Sequence, residues 1–260
     1  MKRSFIPFLC VLAVLCARTA AARINMLEPW SPGLDFVIPE STWNHDVHVR
    51  TGFGKRSADL FELGYLLSTP VSPDWEVGGG LNFLSLNRPS RSESGLGDLA
   101  LGAKYKTPRG ILPPALELAG EAGLTLPTGD PDKGLGAGGL GLFAGGFFQG
   151  AMDNSVTGYS HLGVRAYTKG RQTDLGEVFE YAFGIKYLVD DEWIAAADVR
   201  GFNHGADKYK GVKGKRYQEI YLAPGAFYRP KRVPAEFLGT LLLGLTADSY
   251  DFGFQVSAKF

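Results

Sequence analysis

The sequence predicts an all-β fold, an outer-membrane transmembrane antiparallel β-barrel of about 12 strands. Three observations predict it. Glycine makes up 35 of the 260 residues, about twice the usual ~7%, and glycine weakens helix interiors, which argues against a helical bundle. Beyond position 40, apolar residues recur at every second position, the period of strands with one apolar face. The chain also opens with the layout of a secretory signal.

That signal comes first in the chain. Lys2 and Arg3 form a basic start, Phe5 to Cys16 is an apolar run broken by Pro7, and Ala20-Ala21-Ala22 offers the small residues a signal peptidase accepts. The run is too short for a helical membrane anchor, and Leu15 before Cys16 is too bulky for a lipoprotein site. Residues 1–22 are therefore expected to be removed. Cys10 and Cys16, the two cysteines of the chain, leave with them, so no disulfide scaffold is expected. Lys2, Arg3 and Arg18 leave as well, and the formal charge moves from zero to three negative. So balanced a charge gives no electrostatic reason to expect a nucleic-acid partner. Residues 23–40 read as an irregular lead, periplasmic or plug-forming, and residues 41–260 as the barrel.

Twelve alternating segments follow, at about 45–54, 59–69, 75–87, 96–107, 115–127, 136–148, 155–168, 176–189, 193–203, 216–229, 235–247 and 250–260. In the eighth, Phe179, Tyr181, Phe183, Ile185 and Tyr187 share one face, and Glu180, Ala182, Gly184 and Lys186 the other. The fourth sets Leu99, Leu101 and Tyr105 against Asp98, Ala100, Gly102 and Lys104. Connections after the even-numbered segments are compact, as at Ser72-Pro73-Asp74, while most others are longer and polar, as from Asn203 to Lys215. A soluble lipocalin-like barrel or sandwich turns the apolar face inward, whereas a membrane barrel turns it toward lipid. The even strand count, lengths near ten residues and alternating connections favour the membrane form. So do Trp75, Tyr105, Tyr187, Trp193, Tyr217 and Tyr228, which cluster near strand ends as an interfacial girdle does. Small residues on the inward face suit a narrow barrel by keeping its lumen sparse. Phe260 ends the chain with Ala258, Val256, Phe254 and Phe252 at alternate positions before it, a pattern that resembles the signal read by the barrel-assembly machinery.

Some motifs mimic chemistry without its context. Gly136-Ala137-Gly138-Gly139-Leu140-Gly141 matches a dinucleotide fingerprint, but a turn precedes it and an alternating strand follows, where the fingerprint needs a strand and then a helix. Residues 134–152 carry no charge, yet eight of them are Gly, which suits a close-packed strand better than a spanning helix. His45 and His48, three apart on a strand, face opposite ways, and His161 and His204 are isolated, so no metal site is expected. His161 adjoins Ser160, but adjacent strand residues point apart, which does not make a lipase-type pair. Asp207 and His204 share a loop without further acids to make a protease site. No residue set meets the geometry of catalysis, and neither enzymatic activity nor a cofactor is expected.

The charged inward face is the remaining candidate site. It comprises Asp98, Lys104, Glu117, Glu121, Arg165, Glu180, Lys186, Asp198 and Arg200. Such residues either hold a narrow interior together as cross-strand ion pairs or select passing solutes by charge and hydrogen bonding. The basic loop with Lys208, Lys210, Lys213, Lys215 and Arg216 is a solvated loop or a contact for anionic lipopolysaccharide.

Two motifs bring a family into view. Gly95-Leu96-Gly97-Asp98-Leu99 is followed by Leu124-Thr125-Leu126-Pro127-Thr128-Gly129-Asp130 and a glycine-rich strand, and later by Leu222-Ala223-Pro224-Gly225-Ala226-Phe227-Tyr228. The pattern, over most of residues 40–260, resembles the outer-membrane family of the MetA-pathway of phenol degradation. The resemblance implies a barrel concerned with solute passage and carries over no catalytic residue. The expectation is a Gram-negative outer-membrane channel for small solutes, hydrophobic or aromatic ones among them, with membrane lipid and lipopolysaccharide around it. A closed structural or adhesion barrel is the alternative, and a lipid-modifying or proteolytic barrel enzyme comes after it.

Overall fold

Strands account for nearly all regular structure in the computed structural model, which describes residues 44–54, 59–88, 91–108, 111–113, 115–170, 173–174, 176–206, 208–209, 212–233 and 235–260. The expected signal peptide (1–22) and lead (23–40) lie outside the described residues. In chain order the strands are β1 (Asn44–Phe53), β2 (Asp59–Ser72), β3 (Trp75–Arg88), β4 (Arg91–Leu96), β5 (Leu99–Lys106), β6 (Leu116–Leu126), β7 (Gly141–Ala151) and β8 (Val156–Tyr167). Then come β9 (Thr173–Asp174), β10 (Val178–Leu188), β11 (Trp193–His204), β12 (Lys208–Tyr209), β13 (Val212–Lys213), β14 (Tyr217–Tyr228), β15 (Glu236–Gly244) and β16 (Phe252–Lys259).

Each long strand pairs antiparallel with its chain neighbours, and β1 pairs with both β2 and β16, which closes the sheet. β4 and β5 both lie on β3 and are two parts of one stave, so the barrel has twelve staves. The short β9, β12 and β13 form a separate small sheet in the loops at one end. Closure removes the unpaired edges that an open sheet would present. At the closing seam the Phe260 N–H donates to the His45 carbonyl at 2.9 Å, and the His45 N–H donates back at 3.1 Å.

The faces are inverted relative to a soluble barrel. Along β2, Phe61, Leu63 and Tyr65 are exposed while Glu62 between them is 1% exposed. Along β16, Phe252, Phe254 and Val256 are exposed while Gln255, Ser257 and Lys259 are buried. Water would penalise such an apolar exterior, and hydrocarbon would not, so the outer belt is a lipid-facing surface. Trp75 packs on Tyr105 with centroids 4.9 Å apart, and Trp193 on Tyr228 at 4.7 Å, all near the end that carries the C-terminus. Ring bodies in lipid with polar tips in the headgroups are what an interfacial girdle requires.

Connections at that end are mostly short, and two share one device. Asp153 Oδ1 accepts the N–H groups of Ser155 and Val156, and Asp190 Oδ1 accepts those of Glu192 and Trp193, so each Asp closes its own turn. The opposite end carries the long connections 127–140, 168–177 and 205–216. By that asymmetry the short-turn end corresponds to the periplasmic end of outer-membrane barrels.

The structure moves two of the expected boundaries. The stave expected at 96–107 is broken at Gly97 and Asp98 and extended by β4. The strand expected at 136–148 starts at Gly141, because the residues before it form a folded loop in which Gly134 (φ 75) and Gly138 (φ 70) take left-handed conformations that strands do not use. Pro224 lies within β14, and the register with β15 passes from Leu222↔Leu243 to Gly225↔Thr240 without pairing Ala223 or Pro224, as a residue without an N–H dictates.

Candidate functional site

The lumen is lined by the inward face of every stave, and the polar side chains on it meet across strands in layers. Nearest the short-turn end, Lys106 Nζ lies 3.2 Å from Glu117 Oε1, Gln149 Nε2 donates to Glu117 Oε2 at 3.4 Å, and Lys186 Nζ donates to Gln149 Oε1 at 3.2 Å. This relay runs from β5 to β10. Alternating cation and acceptor lets each buried group offset the desolvation of the next.

A second layer sits deeper. Lys104 is fully buried, with Nζ 3.8 Å from Glu121 Oε2 and 4.3 Å above the Phe147 ring. His161 stacks on that same ring (centroids 4.5 Å apart, 19° between planes), with Nε2 3.6 Å from Glu121 Oε1. Nearby, Arg200 Nε and a terminal amino group donate to the two oxygens of Asp198, both at 2.6 Å, and Tyr159 Oη donates to Asp198 Oδ2 at 2.9 Å. A forked guanidinium on a carboxylate is among the strongest pairings available to a buried charge.

The outermost layer lies below the long loops. Arg165 pairs with Glu180 at 3.4 Å, His204 Nε2 lies 3.6 Å from Glu219 Oε1, and Arg50 is bonded to Glu62, which also faces His48 at 3.7 Å. Arg50, Arg165, Glu180, His204 and Glu219 border a chamber of about 260 Å³. An apolar cluster of Phe202, Tyr221, Ala223 and Leu242, packed by Val178 and Tyr250, forms part of its wall.

Of the nine candidates read from the sequence, Lys104, Glu117, Glu121, Arg165, Glu180, Lys186, Asp198 and Arg200 stand in these layers. Asp98 does something else. It sits in the break between β4 and β5, where Oδ1 accepts the Gly129 N–H at 2.8 Å and Oδ2 the Ala137 N–H at 2.7 Å. Beside it, Thr128 Oγ1 donates to the Gly97 carbonyl at 3.0 Å and accepts the Leu99 N–H at 2.9 Å. The two motifs that carry the family pattern, some 30 residues apart, are therefore one clamp on the loop 127–140.

Sequence reasoning weighed His48 only as a metal ligand and passed over Arg50, Glu62, Glu76, Gln149 and Glu219, although the alternation of Glu62 with Phe61 and Leu63 was the signal that finds it. The expected sparse lumen is also corrected. A Cβ on Gly64 would lie 1.9 Å from the His48 ring, one on Gly184 2.5 Å from the Tyr159 ring, and one on Gly145 3.0 Å from His161 Nε2. The glycines make room, and rings from the adjacent strands fill it. Among the described residues, no group of three His, Asp or Glu side chains is placed to hold a metal.

The family model described as "Putative MetA-pathway of phenol degradation" matches residues 45–260, the whole barrel. The chain belongs to that family. No curated protein matches it by sequence. Among solved structures it is similar to the COG4313 outer membrane channel from Pseudomonas putida F1, with a TM-score of 0.73, 15% identity, and coverage of 88% of this chain and 98% of that one. The fold of this family member is thus that of an outer-membrane barrel. LpxR from Salmonella typhimurium (TM-score 0.46, 10% identity, 84% of this chain and 99% of that one) and a loop-deleted OmpT from Vibrio cholerae (0.46, 8%, 84% and 98%) are more distant.

Proposed function

We propose that this barrel resides in the Gram-negative outer membrane, reached through a cleaved signal peptide and the barrel-assembly machinery, and lets small solutes pass passively, hydrophobic or aromatic ones among them. The observation that carries this reading is the barrel interior, where layers of paired polar side chains lie beneath a chamber of about 260 Å³ at the long-loop end. Layers of paired charges present donors and acceptors to a passing solute without leaving an isolated charge to trap it. The channel described for the Pseudomonas putida structure and the phenol-degradation description of the family support the same reading. Reconstitution in planar bilayers and liposomes tests it: solute flux or conductance above the protein-free background is expected. A folded barrel with neither overturns the proposal.

A second reading is favoured by one observation. Lys104, Glu62, Glu76 and Arg200 are all below 2% exposure, as in a closed barrel whose charges serve stability. On that reading Glu117→Ala and Arg165→Ala lower thermal stability and leave permeability unchanged. On the channel reading both substitutions alter conductance or selectivity.

A further inference from the structure

The outer chamber has two unlike walls. On one, Arg165 of β8 reaches Glu180 of β10 at 3.4 Å and is also bonded to Tyr167 of its own strand. The Arg165 side chain keeps 27% exposure and lines the chamber, while its Nε is buried. On the other, Phe202 and Leu242 pack together with Tyr250 against them, and all three border the chamber. A guanidinium binds carboxylates through two parallel N–H bonds, whereas here it meets Glu180 through one contact at 3.4 Å. The apolar wall rewards burial of a ring or short chain. The chamber falls just below the ~300 Å³ at which pockets for drug-sized ligands begin, which sets the scale at one ring.

Each half of this arrangement excludes a class of ligand. A neutral hydrocarbon leaves the Arg165 fork empty, and a small inorganic anion leaves the apolar wall wet. An organic anion with one apolar ring uses both. Glu219 also borders the chamber, with its carboxylate bonded by the Tyr221 hydroxyl at 2.8 Å and 3.6 Å from His204 Nε2. Glu180 is the direct competitor, since an incoming carboxylate takes its place on Arg165.

We propose that the outer chamber is a binding subsite for single-ring organic carboxylates, with Arg165 on the carboxylate and the Phe202–Leu242–Tyr250 wall on the ring. This names a solute class for the passage proposed above and rests on that reading, though binding is measured apart from transport.

The test is calorimetric titration of the full-length protein, folded in detergent micelles, with sodium benzoate, benzyl alcohol and sodium acetate in turn. Benzoate binds saturably, at least tenfold more tightly than the other two. Arg165→Gln brings benzoate down to the level of benzyl alcohol, and Glu180→Gln tightens it by freeing the guanidinium. Benzoate that fails to saturate the folded wild-type barrel, or that binds no better than benzyl alcohol, overturns the subsite. That comparison needs no variant, so it decides the matter even if Arg165→Gln does not fold. Conductance without benzoate binding removes the subsite and leaves the passage reading. Benzoate binding without flux or conductance does the reverse.

Discussion

The carboxylate of Asp98 accepts the backbone N–H of Gly129 at 2.8 Å across 31 residues of chain. Its other oxygen takes the Ala137 N–H, so one side chain in a strand break holds both limbs of the loop 127–140. Gly129 and Gly136 are required where the limbs cross, since a Cβ on Gly136 would lie 2.4 Å from Asp98 Oδ1. A charged acceptor bonded to backbone donors contributes more than a neutral one, typically ~1.5–3 kcal/mol per bond.

Asp98→Ala is therefore expected to loosen that loop by at least ~2 kcal/mol while the barrel stays closed. Native-state hydrogen exchange reads it directly: the Gly129 and Ala137 amides lose protection and those of β5 and β6 keep theirs. Unchanged protection at both amides would refute the clamp.

Gly64 and Gly239 make a matched pair. Gly64 has the His48 ring where a Cβ would go, whereas Gly239 has nothing within 4 Å. Gly64→Ala should destabilise by ~1–3 kcal/mol through overpacking, and Gly239→Ala should be neutral or mildly stabilising. The temperature at which the folded band is lost on heating in detergent separates them, and His48→Ala should restore the Gly64→Ala variant.

Asp198 is bonded by Arg200 and Tyr159 at full burial. Arg200→Leu leaves a buried carboxylate without its cation, at a cost of about 3–5 kcal/mol. Replacing both Asp198 and Arg200 by leucine should cost less than Arg200→Leu alone. Urea unfolding in lipid vesicles measures both variants, and a double variant weaker than the single would contradict the pairing.

Lys231 Nζ bonds Asp191 Oδ2 at 2.9 Å between two short turns outside the membrane belt. That hydrogen bond, with the Lys231 charge, holds the Asp191 carboxyl below its usual range, and the same partner holds the Lys231 ammonium above its own. The depressed acid contributes above its unfolded value of ~3.9 and loses that contribution as pH falls through its folded one. The raised lysine contributes below ~10.4 and loses its share as pH rises through its folded value. Asp191→Asn should lower the Lys231 titration, followed by NMR, toward its ordinary position, with Glu192 and Asp190 keeping part of the shift. Both groups are exposed, so the unfolding temperature at neutral pH should not change measurably.

Much of the fold was legible in the sequence because strand periodicity is local. Phe179 through Tyr187 alternate in the one-dimensional pattern as they do on β10, and the barrel follows from repeating that pattern around a closed sheet. The loop before β7 was less legible, since Gly136 to Leu140 alternate as a strand would while Gly134 and Gly138 bend the backbone away from one. The polar face told which side Lys104 or Glu121 would take. It did not tell that Phe147 would lie between Lys104 and His161, which come together only when β5, β7 and β8 are in register.

The sequence by itself determined the strand faces, the lipid-facing belt and the identity of the charges turned inward, because each depends on residues two positions apart. The tertiary structure decided which charge meets which, that Asp98 holds a loop rather than lining a lumen, and that an arginine and an apolar cluster border one outer chamber. Those relations depend on register and strand tilt around a closed ring, where residues 30 or more apart become neighbours.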